Sequence, residues 1–258
     1  MKQLIKKLSL IIAILLFSNY LYGATSDEVK TESSDSETSK IEDEIYDPIE
    51  PFNRAIFSFN NAFDKLISEP ASKEYNKLSP PFKTGISNFI SNLRMPLVFV
   101  NQLLQGQGKN ASESAGRFLV NSTIGVFGLV DVADKIGLEE KDEDFGQTLA
   151  IWGVGDGFYV VLPFFGPSNV RDSAGMVLTL TTDPINTYAT SKGVAWVGPS
   201  RTAGNAVVQR SKIIDEVNAQ KNNSIGYYVA VRSSYYQKRK AEINNTNDNT
   251  LTPLPLKR

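Results

Sequence analysis

The residues that most often do chemistry in proteins are missing from this sequence. Its 258 residues include no histidine and no cysteine. That removes the Ser-His-Asp triad, the cysteine nucleophile, the thiolate metal site and the disulfide. Neither G-x-S-x-G, H-E-x-x-H, an EF-hand loop nor a P-loop occurs. Gly153, Gly155 and Gly157 alternate, but the spacing is not G-x-G-x-x-G, no Walker lysine follows, and Phe158–Leu162 is β-branched and aromatic rather than a helix start. These glycines suit backbone turns. Ser-Lys or paired-carboxylate chemistry is all that remains, and no carboxylate pair falls on an apolar helix face, where a raised acidity constant would be expected. The expectation is a protein with no catalytic residue, no metal and no cofactor. A net charge of −1 also argues against a nucleic-acid partner, which calls for a basic excess.

What is left are polar residues set beside apolar ones, and three groups stand out. From Tyr46 to Ile67, Phe52, Ala55, Ile56, Phe59, Phe63, Leu66 and Ile67 fall at helical spacing and make one apolar stripe, expected to face the core. Phe57 lies roughly 140° around from Phe52, at about 100° per residue, and shares its face with Asn53, Asn60 and Asn61. A helix with two such faces has two different neighbours, unless Phe57 is a single stray aromatic. Arg171 and Asp172 form either a structural ion pair or a polar lining. Asn121–Ala133 is small and apolar with Gly125 and Gly128 at its bends, so it reads as a hinged gate or as a packed turn.

The elements that position these groups read as mostly helical. Met1–Gly23 has lysines at 2, 6 and 7 and an apolar run over Leu8–Phe17, the pattern of an export signal, with a cleavage site before Ala24. Ala24–Ile45 is polar and expected to be a disordered acidic linker; residues 27–45 carry eight acidic groups against two lysines, a net of −6. From residue 46 onward, 20 acidic and 22 basic residues leave a net of +2. The folded domain is expected over 46–243. Asp47-Pro48 and Glu50-Pro51 start the opening helix and Glu69-Pro70 ends it. Pro96 divides Phe82–Leu104 into two short helices. Asn110–Glu113 resembles a capping box. Glu139–Asp144 reads as a solvated acidic turn and Val160–Leu162 as a short extended piece. Ser168 or Asn169 caps a helix ending near Asp183-Pro184. Gly193–Pro199 is a break and Arg201–Lys221 an amphipathic helix. A last helix, Ser224–Ile243, carries Tyr228, Val231 and Tyr235 on one face and ends in Arg232, Lys238, Arg239 and Lys240, residues suited to a membrane interface. Residues 244–258 read as a disordered tail.

Five segments carry a resemblance: DPIEPFNR with FSFNN after it, GISNFISNLRMPLVFVNQLLQG, the glycine-bent run at 121–133, FGQTLAIWGVGDGFYVVLPFFGPSNVRDSAG, and GYYVAVRSSYYQKRK. Together they span about Tyr46–Lys240, and the chain resembles the MlaA/VacJ family of outer-membrane phospholipid-transport proteins. The resemblance implies a ring-like assembly of amphipathic helices, partly membrane-embedded in the inner leaflet of the outer membrane, with at most short extended segments. It implies removal of misplaced phospholipid from the outer leaflet, delivery to a periplasmic lipid-carrier protein, and trimeric porins as companions. On that reading Asn53, Phe57, Asn60 and Asn61 face a lipid passage, Gly125 and Gly128 hinge a gate beside it, and Arg171 and Asp172 line it. The sequence departs from the family in lacking the lipid-modified cysteine after the signal, so attachment is expected from the fold, from a partner or from a retained signal segment. A non-transporting envelope scaffold or adhesion protein remains the alternative, with a soluble hydrolase third.

Overall fold

The computed structural model describes residues 45–223 and 226–245; the expected export signal, nearly all of the linker and most of the tail lie outside them. The described chain is mostly α-helical, with one short β-hairpin.

The proline-and-acid start behaves as its chemistry demands. Helix α1 runs Glu50–Phe63, with Pro51 in its first turn, where a missing N–H costs least, and Glu50 at its positive end. Glu69-Pro70 does not end the segment. A π-helical turn, Asp64–Ser68, joins α1 directly to α2 (Glu69–Asn76), and the Glu69 N–H reaches back five residues to the Asp64 carbonyl. Pro70 thereby falls in the first turn of α2, where it is tolerated.

Pro96 does not divide the next element either. Helix α3 is continuous over Pro80–Leu104 with Pro96 inside it. One proline forgoes one helical hydrogen bond, and the packing of α3 against α4 (Gly108–Thr123) offsets that loss. Asn110 is not a cap: α4 begins at Gly108, and the Asn110 side chain donates to Gln107 at 2.6 Å. The remaining elements are α5 (Val132–Lys135), α6 (Phe145–Ile151), β1 (Tyr159–Leu162), β2 (Gly166–Asn169), α7 (Val170–Thr182), α8 (Pro184–Ser191), α9 (Val197–Lys212), α10 (Ile214–Asn223) and α11 (Tyr227–Ile243). Asn169 caps α7 as expected, accepting the Asp172 N–H. The expected break at 193–199 yields to α9 from Val197, and Ile213 separates α9 from α10.

Strands β1 and β2 are antiparallel, with Tyr159 opposite Asn169 and Leu162 opposite Gly166. The hairpin forms the middle of the best-packed apolar cluster. Tyr159, Val161 and Tyr228 are buried there under Ile45, Ile56, Phe57, Val229, Tyr235 and Tyr236.

The rest of the molecule is arranged the other way round. Among the described residues 14 apolar side chains are buried, 19 polar or charged ones are buried, and 27 large apolar ones are exposed. A protein surrounded only by water does not sort its side chains so, since large exposed apolar patches mark contact surfaces. Much of the opening helix shows the inversion, although Ile56 of the same stripe packs on the core cluster. Phe52, Phe59, Leu66 and Ile67, expected to be core, are exposed, whereas Asn53 is fully buried and Phe57 belongs to the core cluster. Periodicity finds the two faces but not which one points inward.

Candidate functional site

The inward face of α1 is a clamp on the β-hairpin. Asn53 Nδ2 donates to the Tyr159 carbonyl at 3.0 Å and to Asp47 Oδ1 at 2.8 Å, while its Oδ1 accepts the Val161 N–H at 2.8 Å. Two turns on, Asn60 repeats the device: Nδ2 donates to the Leu162 carbonyl at 2.9 Å and Oδ1 accepts the Phe164 N–H at 2.8 Å. An asparagine amide can both donate and accept, so it completes a strand edge in the way a neighbouring strand would. Asn61 is half-buried and lends only its carbonyl, to the Asp64 N–H. Phe57 sits edge-on to Tyr228 at 5.3 Å between centroids.

The C-terminal helix closes this clamp from the other side. Tyr228 Oη donates to Asp47 Oδ2 at 2.5 Å, and Arg232 reaches the same carboxylate at 3.1 Å. Burial and the Asp47 contact both push the Tyr228 hydroxyl well above the usual phenol range. Arg232 and Arg239, expected at a basic exposed end, are buried; only Lys238 and Lys240 of that group are exposed. A carboxylate faces each buried guanidinium, which is the condition for burying charge at all.

A second network lies between α6, α7 and α11. Arg171, 3% exposed, pairs with Asp172 at 2.9 Å and with Asp156. Arg239 contacts Asp172 at 2.8 Å and forks onto Asp144. Tyr235 donates to Asp172. Burial raises the Asp144 carboxyl, but the Arg239 bonds and charge outweigh it, so it lies below the usual aspartate range. Arg239 is correspondingly held as a cation. The expected acidic turn at 139–144 is thus partly internal: Glu143 is buried and its carboxyl pushed up by that burial, and Asp144 caps α6 by accepting the Gln147 N–H. Helices α6 and α7 cross at backbone contact, since a Cβ on Gly175 would stand 2.5 Å from the Gly146 nitrogen.

The glycine-bent segment protrudes with its apolar side chains outward. Ile124, Val126, Phe127, Leu129 and Val130 are all exposed, Phe127 by 76%. Val126 and Phe127 both have left-handed backbone, at φ 53° and 57°, an arrangement costing about 1–3 kcal/mol per residue. The turn is tied down at its base. The Gly128 N–H donates to the Asn121 carbonyl at 2.7 Å and the Val130 N–H to the Gly125 carbonyl at 2.9 Å. Gly128 has φ +91° and lies against Asn92, while a Cβ on Gly125 would stand 2.3 Å from the Val130 oxygen. Arg117 and Asn121 hold Asp131 at its far end.

The structure therefore brings Asn53, Phe57 and Asn60 together, and places Arg171 and Asp172 in a separate buried network. The partners that complete both, Asp47, Asp144, Tyr228, Tyr235, Arg232 and Arg239, were not singled out as a site from sequence. Their only signal is that charged residues share helical faces with aromatic ones. Among the described residues no helix is long and apolar enough to cross a membrane, and no three carboxylates gather as for a metal.

A chain of amphipathic helices with apolar side chains outside and paired charges inside defines a class of protein that presents apolar surface to a membrane or to another protein. Comparison with known proteins gives the family. The model of the family described as MlaA lipoprotein matches residues 45–242, and the chain belongs to that family. An uncharacterized protein of Rickettsia prowazekii (strain Madrid E) is 36% identical over 202 residues, covering 78% of this chain and 79% of its own. The intermembrane phospholipid transport system lipoprotein MlaA of Escherichia coli (strain K12) is 32% identical over 200 residues, covering 74% and 76%. A solved chain described under "structural basis for maintenance of bacterial outer membrane lipid asymmetry" aligns at a TM-score of 0.67 and 33% identity, over 77% of this chain and 99% of that one.

Proposed function

We propose that this protein transports phospholipid at the outer membrane, withdrawing misplaced molecules from the outer leaflet and passing them to a periplasmic carrier. Family membership supports the substrate and the membrane. The observation that carries the reading to this chain's own residues is the inversion: 27 large apolar side chains exposed over a polar, ion-paired interior. Exposed faces such as Phe52–Phe59–Leu66 and Phe82–Phe89 suit acyl chains, and burying them in lipid returns about 25 cal/mol per Å² of apolar surface. In this reading the helices lie partly within the inner leaflet, arranged as a ring, and trimeric porins adjoin them. Asn53 and Asn60 fix the hairpin that backs the passage. Phe57 packs that wall, and Asn61 stands beside it. The Arg171–Asp172 pair belongs to the frame. The 124–130 loop stands at the entrance, with Gly125 and Gly128 setting its shape. Two consecutive left-handed residues aim apolar side chains at solvent, an arrangement that water alone would not reward.

The test is lipid mass spectrometry on the purified full chain, with an outer-leaflet phospholipid assay in cells lacking the gene. Co-purified phospholipid together with loss of asymmetry is expected. Lipid-free protein whose loss leaves asymmetry intact would favour a scaffold.

A further inference from the structure

A cleft lined by long polar side chains and their aliphatic stems, on the flank of α3, is used by none of the networks above. Tyr75, Asn76, Lys83, Thr84, Ser87, Asn88, Ser211 and Lys212 enclose a space of about 280 Å³. A smaller space of about 70 Å³ adjoins it, sharing Ser87, Asn88 and Lys212 and adding Ser91, Arg94 and Glu140. The walls are fixed: Tyr75 Oη donates to the Lys83 carbonyl at 2.8 Å and Asn76 Nδ2 to the Ser211 carbonyl at 3.0 Å. The two lysines are not spent on carboxylates. Lys83 Nζ has only the Asn76 carbonyl, at 3.5 Å, and Lys212 has no partner among the described residues. Arg94 and Glu140 of the side chamber are already engaged, with Asp142 and Ser91.

Two uncommitted cations beside the hydroxyls of Thr84 and Ser87 make a pocket for an anion, and phosphate oxygens accept from both kinds of donor; the Ser211 hydroxyl is spent on the Val208 carbonyl. Its surroundings are apolar in one direction. Asn88 Nδ2 donates to the Leu129 carbonyl at 3.2 Å, and the Leu129 side chain stands 3.7 Å from a Cβ built on Gly85. The protruding apolar loop therefore begins at the rim of the cleft, with exposed Phe82 and Phe89 on the same helix. We propose that the cleft holds the phosphate of a phosphate-bearing ligand, a phospholipid head whose acyl chains leave past Leu129. The lipid assignment rests on the transport reading, whereas the anion site rests on the cleft.

The test is calorimetric titration of the full chain, held in amphipol, with dihexanoylphosphatidylglycerol, inorganic phosphate and dihexanoylglycerol. Lys83→Gln with Lys212→Gln should weaken the phospholipid at least tenfold, and raised salt should mimic the loss. Lys135→Gln, on α5, is the control and should change nothing. Phosphate bound as tightly as the lipid, and weakened by the same variant, keeps the anion site and assigns it to free phosphate. Dihexanoylglycerol bound as tightly as the phospholipid, or a double variant that binds like wild type, overturns the proposal. Lipid extracted from the purified chain separates the two claims. Wild type that carries phospholipid with an unaffected double variant ends the cleft assignment alone. Lipid-free wild type with lysine-dependent phosphate binding ends the transport reading alone.

Discussion

Arg239, on the last helix, holds Asp144 at the start of α6 through two parallel hydrogen bonds of 2.8 and 2.7 Å. The two residues are 95 positions apart in sequence. The pair fastens the C-terminal helix to the middle of the chain, and Asp172 shares the same guanidinium.

Removing Arg239 strands the Asp144 carboxylate, 40% exposed, while Asp172 keeps Arg171, so the loss lies at or below the about 3–5 kcal/mol typical of a broken buried pair. Arg239→Met is therefore expected to lower the denaturation midpoint sharply. Adding Asp144→Asn should recover part of the loss, because the stranded charge goes with its partner; Asp172 stays, since it also pairs with Arg171. A double variant no more stable than the single one would show that the arginine's packing matters and its charge does not.

Acid should unfold the protein through the same groups. Asp144, Asp64 and Asp131 are partly buried, which raises their pKa, but arginine, lysine and hydrogen-bonding neighbours outweigh that, so all three lie below the ordinary 3.8. Stability from a depressed carboxyl is fully present above the unfolded value and is lost as pH falls through the folded one. Denaturation midpoints should hold from neutral pH down to about pH 5 and fall below about pH 4.

Glu143 should behave in the opposite sense. Burial raises its pKa above the ordinary 4.5, with Asp144 and Asp142 adding to the effect. Its charged form then penalises the folded state at neutral pH, and the penalty fades as pH falls below the unfolded value. Glu143→Gln, which keeps an acceptor for Gln105, is expected to raise the urea midpoint at pH 7 and to leave it unchanged near pH 4. An equal gain at both pH values would assign the effect to packing.

Much of this fold was legible because helix signals are local. Pro51 and Asn169 start helices by chemistry that acts within four residues, whereas Asp183, expected only as an end, also caps α8. Pro70 and Pro96 misled, since whether a proline breaks a helix depends on what packs around it, as α4 packs on α3. The site was less legible. The two faces of α1 are plain in the sequence, but a stripe carrying Phe52, Phe59 and Leu66 seeks whatever apolar medium is present, and periodicity does not say whether that is core or lipid. The buried arginines were hidden for a related reason: Arg232 and Arg239 look like an exposed basic end until Asp47 and Asp144, far away in sequence, are brought to them.

The opening helix turns that ambiguity into a measurement. Phe57 belongs to the cluster around Tyr159 and Tyr228, so Phe57→Ala should cost about 2–4 kcal/mol, somewhat less than for a fully buried phenylalanine. Phe59 is 45% exposed, and its one ring partner among the described residues is the exposed Phe164, at 5.2 Å between centroids. Phe59→Ser should leave the midpoint within about 1 kcal/mol of wild type. If Phe59→Ser destabilises the protein as much as Phe57→Ala, the outward face is core and the inversion is wrong.

The protruding loop should separate membrane contact from folding most clearly. Phe127 is 76% exposed and its ring is absent from the core cluster, so Phe127→Asp removes no internal packing. A charge there opposes entry into hydrocarbon, where an aspartate costs about 2.5–3.5 kcal/mol at full depth and less near the surface. The expected result is an unchanged melting temperature in detergent with at least a fivefold loss of binding to phosphatidylethanolamine–phosphatidylglycerol vesicles. Gly125→Ala is the contrasting variant. Its new methyl would meet the Val130 oxygen at 2.3 Å, a backbone atom that yields only if the turn deforms, so this substitution should lower stability and vesicle binding together. Vesicle binding by Phe127→Asp equal to wild type would place the loop away from the lipid surface and leave the stripes of α1 and α3 to make the contact.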